Sequence, residues 1–354
     1  MRQTIVKDLK YIRSYIETKK FFLVHDSAYN NLKIKAFFDE FSHVDFCGFT
    51  SNPLYEQACK GVELFNKSKC ELIVAVGGGS TIDVAKCIKL YCRMDSSVNY
   101  FNQENFDSGV TLIAIPTTAG SGSESTSHAV IYYEGLKQSI SHASILPNCA
   151  VLEPSVLDTL PIYQKKCTML DALCQAIESW WSLNSTDKSR GYARKAILTI
   201  KENWEDYIFG NSNSVAEKIL DAANYAGRAI NITATTSAHA MSYMITSIYK
   251  IPHGHAVALC MREVWNYTLN HMNACIDRRG EKYFKDTLDH IATIIDLSYY
   301  TSMICKMGMN NPKSINRDAE LDILVRLVNP ERLRNNPISF SNEAIRDMYL
   351  RIVD

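Results

Sequence analysis

The first 150 or so residues alternate short β-rich apolar runs with stretches of helical periodicity, and this alternation narrows the possible folds more than any other feature. Runs at 21–25, 44–49, 71–76 and 111–115 are separated by helical stretches at 31–41, 55–68 and 81–92. Strands spaced by helices of this length predict βαβ units and a parallel sheet. From Pro154 the pattern changes to long amphipathic segments at 162–182, 185–204, 214–235 and 282–306, which predict a mostly helical second half. A chain of 354 residues exceeds what one hydrophobic core usually serves, so two domains are expected. Their boundary is expected at 153/154, within a proline-punctuated stretch over 146–161.

Charge then removes whole classes of partner. Thirty-eight basic residues balance thirty-eight acidic ones, so no net field holds the chain on nucleic acid or an anionic membrane, and a small molecule is the expected partner. The longest apolar runs, at 72–76 and 112–115, fall far short of the roughly 20 residues a membrane helix needs. Eleven cysteines contain no C-x-x-C pair and follow no signal-peptide pattern, which predicts reduced thiols in a cytoplasmic protein.

Two loops stand where a parallel sheet places its ligands. Gly77, Gly78, Gly79 and Ser80 follow the apolar run 72–76 and open a helix containing Asp83 and Lys86. Glycines there let the backbone approach a phosphate, which the free amides and helix dipole attract, although a plain tight turn has the same look. The second loop, Pro116-Thr117-Thr118-Ala119-Gly120-Ser121-Gly122-Ser123-Glu124, again follows a strand. Hydroxyls and glycines at the carboxyl end of a parallel strand suit a ligand, or else cap a helix.

In the helical half, Asp171 precedes Gln175 by four residues, His239 precedes Tyr243 by four, and His253-Gly254-His255 follows Pro252. Residues four apart share a helix face, and Pro252-His253-Gly254 can present an imidazole from a turn. One carboxylate and two imidazoles suit a divalent transition metal such as Fe2+ or Zn2+. Taken singly, each residue also reads as an ordinary surface or core side chain.

These motifs, in this order and over nearly the whole chain, resemble the iron-containing, or group III, alcohol dehydrogenases. That family's G-G-G-S-x-x-D-x-A-K loop is matched at 77–86, and its T-T-A-G-x-G-S-E loop at 117–124. Its Leu-Pro and Asp-Pro segment is matched by Leu146-Pro147 and Glu153-Pro154. Its H-A-M and P-H-G motifs, fourteen residues apart, are matched by His239-Ala240-Met241 and Pro252-His253-Gly254. The resemblance implies an α/β fold: a parallel-sheet dinucleotide-binding domain over 1–153, then an all-α, dehydroquinate synthase-like domain over 154–354 that binds metal and substrate.

It also implies an NAD- or NADP-linked alcohol dehydrogenase or aldehyde reductase, a homodimer or higher homo-oligomer, acting on a small aldehyde or alcohol. The implied metal ligands are Asp171, Gln175, His239 and His253, with Gln175 where the family has a histidine. An amide oxygen can coordinate, and Gln175 can equally hydrogen-bond a neighbouring group. The implied dinucleotide contacts are Asp26, Asn52, Gly77, Gly78, Gly79, Ser80, Asp83, Thr117, Thr118, Ser121, Ser123 and Lys137. Asp26 stands where a carboxylate accepts from ribose hydroxyls and repels a 2′-phosphate, favouring NAD.

Tyr243 replaces the family's usual cleft histidine, so Tyr243, His255 or water is expected to protonate the product alkoxide while the metal polarises the carbonyl. The segments 171–179 and 252–259 resemble the branch that includes phosphonoacetaldehyde reductases. A phosphonate would need donors such as Arg228, Lys137, Asn231, Thr233, Thr235 or Thr236, with Arg228 the best suited. Propanol or butanol dehydrogenases are the alternative, with NAD-using sugar-phosphate cyclases behind them.

Overall fold

The computed structural model describes residues 3–210 and 212–354. Strands β1 (Thr4–Val6), β2 (Phe21–His25), β3 (His43–Phe46), β4 (Leu72–Gly77) and β5 (Thr111–Pro116) join β8 (Cys149–Val151) in one sheet. Its order is β1-β8-β5-β4-β2-β3, and every pair is parallel. A separate hairpin pairs β6 (His128–Tyr133) with β7 (Leu136–Ser141). Its turn residues Glu134 and Gly135 both have positive φ, the geometry that two-residue hairpins prefer.

The helices of this part are α1 (Lys10–Ile16), α2 (Lys35–Phe38), α3 (Tyr55–Ser68) and α4 (Gly79–Tyr91). Every residue of β2 and β4 is buried, as expected for parallel strands covered on both faces. Phe22, Val24, Ile73, Ala75, Leu112 and Ala114 pack with Val62, Val84 and Ile88 in one core. The chain leaves β2 for β3 on one side and returns past β2 to β4 on the other. The order of winding therefore reverses between β2 and β4, the position where open α/β sheets form a ligand crevice at the strands' carboxyl ends.

Helices make up the remainder: α5 (Ile162–Trp181), α6 (Asp187–Phe209), α7 (Asn213–Thr233), α8 (Ser237–Tyr249), α9 (His253–Asn270), α10 (Glu281–Ala292), α11 (Leu297–Lys306), α12 (Arg317–Arg326), α13 (Pro330–Leu333) and α14 (Asn342–Ile352). The chain divides into two compact units. One runs to Leu160 and includes Ser212–Leu220; the other begins at Pro161 and resumes at Asp221. From Met169 to Trp181 every residue of α5 is buried, so this helix is the centre of its unit.

Two expectations change. The stretch 31–41 is not one helix but a 3-10 turn, Ser27–Asn31, followed by the four-residue α2. The stretch 282–306 is broken between α10 and α11, where the Asp296 side chain caps α11 by accepting from the Tyr299 N–H.

Candidate metal centre and dinucleotide loops

In the sheet unit the two glycine-bearing loops lie side by side. A Cβ on Gly77 would stand 2.2 Å from Thr81 Oγ1 and 2.5 Å from Thr81 Cβ, so this contact requires glycine, and one on Gly79 would press on Ser121 Oγ at 2.8 Å. The Thr117 N–H donates to the Gly77 carbonyl at 3.0 Å, and Thr118 borders Gly78. Helix α4 begins here with Gly78 as its N-cap and no side-chain cap, which points first-turn amides at the crevice.

Asp26, at the end of β2, accepts from the Ala28 N–H at 2.9 Å and from Thr81 Oγ1 at 3.3 Å. Its carboxylate is thereby fixed beside the first turn of α4. Ser80 donates through Oγ to the Ser51 carbonyl and ties down the loop carrying the exposed Asn52. Lys137 is exposed on β7.

Asp83 and Ser123 act differently from the glycines. Asp83 accepts from Ser123 Oγ and from the Val130 N–H at 2.9 Å. The fully buried Lys86 ammonium donates to Ser123 Oγ and Thr126 Oγ1, both at 3.0 Å, and to the His128 carbonyl at 2.6 Å. Burial lowers the Lys86 pKa to about 8, against the opposing pull of Asp83 and Glu124. This cluster fastens the second loop and β6 to α4.

In the helical unit, Asp171 from α5, His239 from α8 and His253 from α9 each offer a ligand atom, all within 4.8 Å of one another. His239 Nε2 lies 3.1 Å from Asp171 Oδ1. Close approach of α9 to α5 depends on Gly254, whose added Cβ would collide with the Cys167 carbonyl oxygen at 1.9 Å. Gln175 is buried and hydrogen-bonds Asp171. Tyr243 stacks on His253 with centroids 5.6 Å apart and planes at 13°.

Burial opposes charge on Asp171, yet hydrogen bonds from His239 and Gln175 and the field of both histidines hold its pKa below the usual value. Burial likewise disfavours imidazolium at His239, but Glu178 and Asp171 raise it to about 10. A carboxylate and two imidazoles converging at this spacing match the donor set of a divalent transition metal.

No sequence motif singles out Glu178. It is fully buried on α5, its Oε2 meets His239 Nδ1, and its Oε1 accepts from Thr236 Oγ1 at 2.9 Å. The available signal was its position seven residues after Asp171, which returns to the same helix face.

His255 turns away from the metal ligands. Its Nε2 donates to the Asn310 carbonyl at 2.9 Å, which leaves Nδ1 to accept from the Tyr163 hydroxyl at 2.8 Å. Burial lowers its pKa, so the ring is held neutral. Arg228 lies over the Tyr192 ring at 5.6 Å, while the Thr233 and Thr236 hydroxyls donate inward to Ser179 and Glu178.

Two family models cover nearly all of the chain: iron-containing alcohol dehydrogenase over residues 3–154, and the C-terminal domain of the Fe-containing alcohol dehydrogenase family over 165–353. The chain belongs to the iron-containing alcohol dehydrogenase family. Among curated members, it is 33% identical over 220 residues to the probable alcohol dehydrogenase EutG of Escherichia coli, spanning 61% of this chain and 56% of that protein. It is 30% identical over 244 residues to the phosphonoacetaldehyde reductase of Streptomyces viridochromogenes, spanning 63% of this chain and 60% of that one. The matches thus span little more than half the length of these two relatives.

Among solved structures of the fold is sulfoacetaldehyde reductase from Bifidobacterium kashiwanohense in complex with NAD+. It has a TM-score of 0.85 at 24% identity, covering 99% of this chain and 96% of that one. Among the described residues, no helix is long and apolar enough to cross a membrane.

Proposed function

We propose that this member of the iron-containing alcohol dehydrogenase family is a metal-dependent, NAD(P)-linked reductase of a small aldehyde, or oxidant of the matching alcohol. The observation that carries this reading is the convergence of Asp171, His239 and His253 on one point. A bound Fe2+ or Zn2+ would supply Lewis acidity toward a carbonyl oxygen, and NAD(H) the hydride.

The chain's own residues supply the rest. Asp171, His239 and His253 hold the ion, and Gln175 orients Asp171 or adds its amide oxygen as a fourth ligand. The glycine loop and the first-turn amides of α4 take the pyrophosphate, with Thr118 and Ser121 alongside. Asp26, Asn52 and Lys137 complete the dinucleotide site. Asp26 accepts from the ribose hydroxyls, which supports NAD over NADP.

Tyr243 is the better proton donor of the two expected, because it flanks His253 while both nitrogens of His255 are engaged elsewhere. Small aldehydes bearing a phosphonate or sulfonate form the favoured substrate class, supported by the phosphonoacetaldehyde and sulfoacetaldehyde reductases named above. A cytoplasmic homodimer or higher homo-oligomer completes the reading. Eleven free thiols support the compartment, and light scattering tests the assembly.

The deciding experiment follows NADH and NADPH oxidation with phosphonoacetaldehyde, sulfoacetaldehyde and propanal, using protein loaded anaerobically with Fe2+ or with Zn2+. Metal-dependent turnover of at least one aldehyde is expected. Failure to take up either ion, or no turnover by the loaded protein, rejects the reading.

A further inference from the structure

We propose that Glu178 is the positioning residue of the metal centre: its carboxylate keeps the His239 proton on Nδ1 and so presents Nε2 as the ligand atom. This inference rests on the proposed function and names what makes His239 competent for it.

The two oxygens of Glu178 do different things. Oε1 accepts from the Ala238 N–H at 2.7 Å, the His239 N–H at 3.2 Å and Thr236 Oγ1 at 2.9 Å. Helix α8 has no side-chain cap of its own, so a carboxylate from another helix caps it. Trp181 Nε1 donates to Thr236 Oγ1 at 3.0 Å, which leaves the threonine proton for Glu178 and fixes the direction of that bond.

Oε2 meets His239 Nδ1. An ionised carboxylate only accepts, so the shared proton belongs to Nδ1. Nε2–H donates to Asp171 at 3.1 Å, and a metal ion taking the place of that proton would find the lone pair on Nε2 while Nδ1 keeps its N–H. A cap alone would need one oxygen; the second goes to the ligand ring. Partners of this kind set tautomer, ring orientation and ligand basicity, and their loss typically costs 10–100-fold in metal affinity.

Glu178→Gln separates the two tasks. Its amide oxygen can still cap α8, which turns the NH2 group toward Nδ1, makes Nδ1 an acceptor and moves the proton to Nε2. Zinc and cobalt affinity, measured by competition with a chromogenic chelator, is expected to fall about 10–100-fold. Trp181→Phe removes the donor to Thr236 without touching Nδ1; it is expected to lower the melting temperature while metal affinity stays within about threefold of the parent.

In the zinc-loaded parent, 15N-imidazole spectra are expected to show His239 protonated at Nδ1. E178Q binding zinc as tightly as the parent overturns the proposal, as does a parent spectrum with metal on Nδ1. If E178Q does not fold, the parent spectrum decides alone. A parent that takes up no metal overturns the proposed function itself, whereas normal uptake by both parent and E178Q overturns only the role of Glu178.

Discussion

Gly254 stands against Asp171 so closely that a Cβ built on it would lie 3.0 Å from the aspartate Cβ and 1.9 Å from the Cys167 carbonyl oxygen. This contact seats the first turn of α9, and with it His253, beside α5. Inside a helix, alanine normally gains about 0.5–1 kcal/mol over glycine. Overpacking against rigid backbone costs roughly 1–3 kcal/mol and wins here. Gly254→Ala is expected to lower stability in urea unfolding by about 1–2 kcal/mol and to weaken metal binding about tenfold or more. Unchanged metal affinity would mean that α9 reseats without moving His253.

Tyr243 and His255 make opposite predictions. Tyr243→Phe keeps the ring stacked on His253 but removes the hydroxyl, so kcat for aldehyde reduction should drop about 100-fold with KM little changed, the scale of a lost general acid. His255→Gln should leave kcat within a few-fold and act on stability, since the ring joins Tyr163 to Asn310. Equal kcat losses in both variants would reject the assignment of the proton to Tyr243.

Lys86 gives the sheet unit a pH signature. Its pKa is about 8 when folded and 10.5 as an ordinary lysine, so between those values the unfolded chain holds a proton that the folded chain has released. Stability from this group therefore rises with pH over that window; below pH 8 both states are protonated and the full cost of burying an ammonium applies. The stability of the parent relative to Lys86→Met should grow by on the order of 3 kcal/mol from pH 8 to pH 10.5. Urea midpoints at three pH values test this, and a flat difference would show that the lysine stays charged.

Asp26 should set cofactor choice. Asp26→Ser removes the charge that would face a 2′-phosphate, so the ratio of kcat/KM for NADH over NADPH is expected to fall about tenfold or more, from one repulsive contact of 1.4 kcal/mol or above. A ratio that does not move would place the ribose elsewhere.

Where apolar runs are long and flanked by turn residues, the sequence was enough: β2 and α3 lie where the pattern put them, and β4, β5 and α4 shift by only a residue or two at their ends. β1 and β8 have three residues each and little pattern of their own; they are strands because β8 lies between β1 and β5. The break after α10 was hidden because Ile294 and Ile295 continue the apolar periodicity through the turn at Thr293 and Ile294 that precedes the Asp296 cap. Spacing pointed to Asp171, His239 and His253, whose ligand atoms do converge. It could not show that Glu178 faces inward, because a glutamate in a helix ordinarily reads as solvated. Nor could adjacency to His253 show that the His255 ring turns toward Asn310.

Asp171 and Glu178 also make α5 a ruler. Seven residues bring a helix back to within roughly 20° of its starting direction, so the ligand and the group that orients its neighbour lie on one line. Inserting a single residue between them would swing Glu178 by about 100° and strip His239 of its partner, even if Asp171 stayed in place. This segment of the chain should therefore accept exchanges of side chain far more readily than any change of length.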